Sequence, residues 1–66
     1  MRLDDFIVDV ITMRGTASMA ELMEESGRSR PTVLKAVQGL VARGVIQPTQ
    51  KKNSPRQRYG LAQSAG

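Results

Sequence analysis

Arg30, Lys35 and Gln38 lie in the stretch from Ser29 to Arg43, whose apolar residues repeat with the period of an α-helix. All three fall off the apolar side of that helix. An arginine fork or a lysine ammonium donates to guanine O6 and N7, and a glutamine amide pairs with the edge of adenine. Further along, Lys51, Lys52, Arg56 and Arg58 bring four cations together without an intervening acid. Cations grouped in this way neutralise phosphates and set affinity with little regard to base sequence. Base-edge readers on one element and a separate group of cations on another suit a nucleic-acid duplex. An enzyme is not expected, because the chain has no histidine, no cysteine and no glycine-rich phosphate loop. Asp5 and Asp9 stand one helical turn apart, but no nucleophile or metal ligand accompanies them, so they read as a solvated face. Neither a metal nor a cofactor is expected.

The elements that must hold these residues follow from pattern. In the third helix, residues 30–43, Val33, Val37, Leu40 and Val41 fall at i, i+4, i+7 and i+8. Pro31 suits the first turn, where its missing N–H has no intrahelical partner. Gly44 follows as the C-terminal cap. Pro31 and Lys35 then project away from the core, flanked by Arg30, Leu34 and Gln38. A shorter helix from Met19 to Ser26 precedes it across a turn at Gly27. Ser18 and Glu21 have the spacing of a capping box at its start. Met19, Leu22 and Met23 form its core face. Leu3, Phe6, Ile7, Val10 and Ile11 mark a first amphipathic helix over 4–13, ended by Gly15. Thr16 and Ala17 are extended and can add a very short strand. After Gly44 the period changes: residues 45–49 and 56–61 read as a β-hairpin with a basic tip, Tyr59 and Leu61 on one face and Arg58 on the other. Pro48 cannot donate to a ladder and is expected on an edge. Gly39, inside the third helix, either admits another backbone or is a tolerated cost of about 1 kcal/mol.

Charge is sharply divided along the chain. The first 25 residues hold all six carboxylates against two arginines, a balance of −4. From residue 26 onward there are eight cations and no acid, which is +8 against a net charge of +4 for the whole. Such asymmetry points to a polyanion bound by one side of the molecule. Sixty-six residues allow one small domain, expected over 1–62 with a frayed tail at 63–66. Without cysteine or histidine its core must come from aliphatics and methionines, with Phe6 and Tyr59 the aromatic contributions. No apolar run approaches membrane-spanning length, and Asp4, Asp5 and Asp9 do not suit a signal peptide, so a cytoplasmic protein is expected.

The order helix, helix-turn-helix, basic hairpin resembles the winged helix-turn-helix domain of regulators of the MarR and IclR type. Ala20-Glu21-Leu22, Gly27, Ser29, Thr32-Val33, Leu40, Gly44-Val45-Ile46 and Arg58-Tyr59-Gly60-Leu61 carry the resemblance over roughly residues 16–62. It implies an α+β fold of three helices followed by a two-stranded β-hairpin wing. It further implies that the third helix enters the major groove while the wing, residues 45–62, touches the backbone or minor groove. By position in the motif, Arg30, Pro31, Leu34, Lys35 and Gln38 match groove-facing sites, and Ser29 and Thr32 match sites often bonded to phosphate. Leu34 replaces the small polar residue usual there and suits a thymine methyl instead. Arg28 stands where such domains carry a small apolar residue; it either adds a phosphate contact or loosens the turn.

The expected function is a sequence-specific duplex-DNA-binding transcriptional regulator, most simply a repressor, with two copies pairing on DNA. Two alternatives stay open. A winged helix can serve as a protein-docking module, for which an exposed Leu34 would be the support. Binding of RNA or single strands is the other, though stacking platforms need more aromatics than Phe6 and Tyr59.

Overall fold

Ser18 and Glu21 show how local chemistry starts the central helix pair. In the computed structural model, which describes residues 2–49 and 57–62, the Glu21 N–H donates to Ser18 Oγ at 3.2 Å. The Ser18 N–H donates in return to Glu21 Oε1 at 2.9 Å. This reciprocal box opens α2, Met19–Ser26, as its spacing predicts. Gly27 closes the helix in the left-handed region at φ 67°, its N–H on the Met23 carbonyl. Before it run α1, Leu3–Arg14, and β1, Thr16–Ser18. Asp4 and Asp5 occupy the first turn of α1, where negative charge meets the positive end of the helix dipole. The helix is one residue longer at each end than the 4–13 expected from pattern.

The third helix, α3, is Arg30–Ala42, with Ser29 before it and Pro31 in its first turn. Its end is a Schellman turn. Gly44, at φ 77°, donates to the Val41 carbonyl at 3.0 Å, and Val45 donates to the Leu40 carbonyl at 2.9 Å. Arg43 is therefore the capping residue rather than the last helical one. A Cβ added at Gly39 would meet nothing within 4 Å, so no other part of the described chain requires glycine there.

Two further strands, β2 (Ile46–Pro48) and β3 (Arg58–Leu61), complete an antiparallel sheet in the order β1-β3-β2. The short extended piece after Gly15 is thus a true third strand, Thr16–Ser18, paired Thr16↔Gly60, Ala17↔Tyr59 and Ser18↔Arg58. Pro48 lies on the edge strand β2, where its missing donor is tolerated. Gly60 sits in the middle strand with Thr49 Cγ2 only 3.3 Å from where a Cβ would be, so a side chain would crowd the sheet.

The core lies between the three helices and one face of this sheet. Ile7, Val10 and Ile11 of α1, Leu22 of α2, and Val33, Val37 and Leu40 of α3 are buried together with Ala17 and Ile46. Met19 and Met23 are partly buried against the cluster, as gap-filling methionines are. Phe6, Val41 and Tyr59 also pack at its margin rather than inside it. Leu61 shares the inner face with Tyr59 yet is 40 % exposed, so the sheet meets the core chiefly through its flanking strands. The basic tip expected around Lys51, Lys52 and Arg56, and the tail expected at 63–66, lie outside the described residues.

Candidate nucleic-acid interface

The outer side of α3 carries Arg30, Pro31, Lys35 and Gln38, all exposed. Helical spacing sets Pro31, Lys35 and Gln38 in one row, since residues three and four apart share a face. Leu34, expected alongside them, is half-buried and so offers only part of its side chain. Arg28 and Ser29 are exposed in the turn before the helix, and the Arg28 N–H donates to Ser26 Oγ at 3.2 Å. The Ser29 and Thr32 hydroxyls bond each other at 3.0 Å, and Ser29 makes no side-chain bond to a helix N–H. The first turn of α3 contains no acid. Among the described residues, no carboxylate pairs with Arg28, Arg30 or Lys35. Gln38, the two hydroxyls and three cations without a carboxylate partner therefore share the turn and outer face of one helix.

Arg43, Arg14 and Arg58, by contrast, are engaged by carboxylates. Arg43 reaches Asp4 across 3.7 Å at an exposed position, an interaction of small consequence. Arg14 joins Glu21 at 3.1 Å and Glu25 at 2.7 Å. Arg58, expected among the phosphate contacts, has its guanidinium turned inward: Nη2 donates to Glu21 Oε1 at 2.7 Å and to the Thr16 carbonyl at 3.3 Å, while Nε donates to Thr16 Oγ1 at 2.9 Å. The Ser18 N–H holds the Glu21 carboxyl below its ordinary value, helped by the Arg58 and Arg14 charges and opposed by desolvation. A lowered value means that this pairing is intact above the usual carboxylate range and is lost only as pH falls through the depressed pKa. The Arg14–Glu21–Arg58 link was not visible in the linear spacing. Glu21 and Arg58 are 37 residues apart, and only the Ser18↔Arg58 register brings them together.

Similarity to known proteins follows the same outline. The family model described as "Sugar-specific transcriptional regulator TrmB" matches residues 9–63, most of the chain. The chain belongs to the TrmB family. It is therefore a DNA-binding transcription regulator domain of winged-helix form, and its likeness to MarR- and IclR-type regulators is the looser statement of that membership. Among solved structures it is similar to Stf76 from the Sulfolobus islandicus plasmid-virus pSSVx, with a TM-score of 0.79 and 24 % identity. That superposition covers 98 % of this chain and 87 % of the other, and supports the fold. No curated protein matches the sequence. In this TrmB-family domain α2 and α3 form the helix-turn-helix, and β2 and β3 form the root of the wing. No helix among the described residues is long and apolar enough to cross a membrane.

Proposed function

We propose that this TrmB-family chain binds duplex DNA sequence-specifically, laying α3 in the major groove and its wing against the backbone or minor groove of the same site. The observation that carries the reading is the outer side of α3, where Arg30, Lys35 and Gln38 are exposed and neither cation is neutralised by a carboxylate of the described chain. Arg30, at the start of the helix, is suited to guanine O6 and N7; Lys35 offers a point donor to the same edge, and Gln38 suits adenine. Pro31 and the exposed part of Leu34 supply apolar contact, for which a thymine methyl is the natural partner. Arg28, Ser29 and Thr32 take neighbouring phosphates, and Lys51, Lys52 and Arg56 take those under the wing. Binding of this kind in the cytoplasm, over a promoter, acts most simply as repression by occlusion.

A gel-shift titration tests this at two salt concentrations with random duplex, single-stranded DNA, RNA and a duplex selected from a random pool. Preference for the selected duplex, weakened by salt, is the expected result. Tighter binding of RNA or single strands sinks the proposal, as does duplex binding that selection cannot improve.

A further inference from the structure

The first residue of β3 is an arginine whose side-chain hydrogen bonds run to β1 and to α2 of the helix-turn-helix. Arg58 reaches both the hydroxyl and the carbonyl of Thr16 in β1, and the carboxylate of Glu21 in α2. The same carboxylate oxygen accepts the Ser18 N–H that caps α2, and the other oxygen faces Arg14. Arg14 continues to Glu25 one turn along α2. Two arginines and two glutamates thus sum to zero charge, and they join the end of α1, the strand β1, the helix α2 and the root of the wing.

We propose that Arg58 is the positioning residue of the wing: it clamps β3 to Glu21, fixes the angle at which the wing leaves the helix-turn-helix, and does not itself touch DNA. The inference rests on the DNA-binding reading above. The need for a clamp follows from the brevity of the sheet. β1 and β2 have three residues each, β3 has four, and Pro48 withholds one donor. So small a sheet is a weak hinge without side-chain support. The side chain that supports it is a charge-assisted fork tied to a carboxylate that is itself held by a helix cap. A guanidinium neutralised in this way attracts phosphate weakly, and withdrawing it would leave Glu21 with one arginine fewer.

The direct-contact and clamp roles predict opposite signs for one substitution. Glu21→Gln keeps an amide oxygen for the Ser18 N–H, removes a negative charge and loosens Arg58. If Arg58 bound phosphate, Glu21→Gln would strengthen duplex binding. As a clamp, its loss weakens binding about threefold to tenfold, Arg58→Ala does the same, and the double variant is no worse than the poorer single one. Arg58→Ala should also add little to a Lys51→Ala/Lys52→Ala/Arg56→Ala variant, since the tip then has no cations left to align. Affinity is measured by fluorescence anisotropy on duplex. Thermal unfolding of the wild type, the two single variants and their double gives the Glu21–Arg58 coupling without DNA, and Arg58→Lys, which keeps charge but loses the fork, stands in should Arg58→Ala fold poorly. Tighter binding by Glu21→Gln, or additive losses, overturns the clamp. Wild-type protein that ignores duplex overturns the DNA reading and the wing's role with it. Unfolding that shows no Glu21–Arg58 coupling overturns the clamp alone.

Discussion

Arg30 opens α3 in a first turn that holds no acid, exposed and without a carboxylate partner among the described residues. Its guanidinium is therefore free of the competition that occupies Arg14 and Arg58. Arg30→Ala is expected to cost about 1–3 kcal/mol on the preferred duplex, little on random DNA, and to relax preference at one base pair. Competition binding with single-base variants of the selected site reads this directly, and an equal loss on every sequence would assign Arg30 to the backbone. Gly39 offers a test that needs no DNA. It sits inside α3 with open space where a Cβ would go, so its glycine lowers helix stability without a packing return. Gly39→Ala should raise stability by about 0.5–1 kcal/mol, because alanine loses less backbone freedom on folding. Thermal unfolding checks it, and a lowered midpoint would mean that α3 departs locally from ordinary helix geometry.

Among elements, α3 carries two loads: its inner face makes the core and its outer face makes the proposed contact. Val33, Val37 and Leu40 are at most 2 % exposed, set against α1, Leu22 and Ile46. Leu40→Ala should cost about 2–5 kcal/mol, the transfer of the removed atoms together with the cavity they leave. That is a large share of the stability of a domain this small, so urea unfolding should show it plainly, and an unchanged midpoint would contradict the assigned face. The wing is expected to act differently. Lys51 and Lys52 belong to its tip by sequence, and replacing both by alanine should weaken preferred and random duplex about equally. The plot of log K against log salt should flatten by about 0.9 for each phosphate that is no longer neutralised. An unchanged slope would show that the tip does not reach DNA.

At the scale of the molecule, opposite charges are sorted between its parts. The acids lie on α1 and α2, and Arg14, Arg43 and Arg58 are paired with some of them, while Arg28, Arg30 and Lys35 are left outward on the helix-turn-helix. A single module of this size buries about 600–1,000 Å² on DNA. Regulation from one such contact is weak, so two copies are expected on two half-sites about 10 base pairs apart. Met13, 86 % exposed near the end of α1, places an apolar side chain on the outer face of that helix, where a second copy could meet it. Sedimentation of the protein with a selected duplex should give two chains per site. A 1:1 complex on a site without repeats removes the pairing.

Sequence alone determined whatever depends on neighbours within a few residues. The period of Val33, Val37 and Leu40 defined the buried face of α3, and Ser18 with Glu21 announced the start of α2, because helix geometry repeats over one or two turns. Gly44 marked the end of α3, since a left-handed residue there is easiest for glycine. Pro48 and the extended pair after Gly15 foretold the edge and the third strand. The tertiary structure decided which polar side chains meet. Arg58 looked like one more wing cation until the pairing of β1 with β3 set it beside Thr16 and Glu21. Leu34 flanks the outward-facing residues by its spacing, yet it is half-buried, and Leu61 shares a face with Tyr59 by alternation, yet it is 40 % exposed. Periodicity gives the direction in which a side chain leaves its own element. Its depth and its partners depend on chain segments folded over it from far along the sequence.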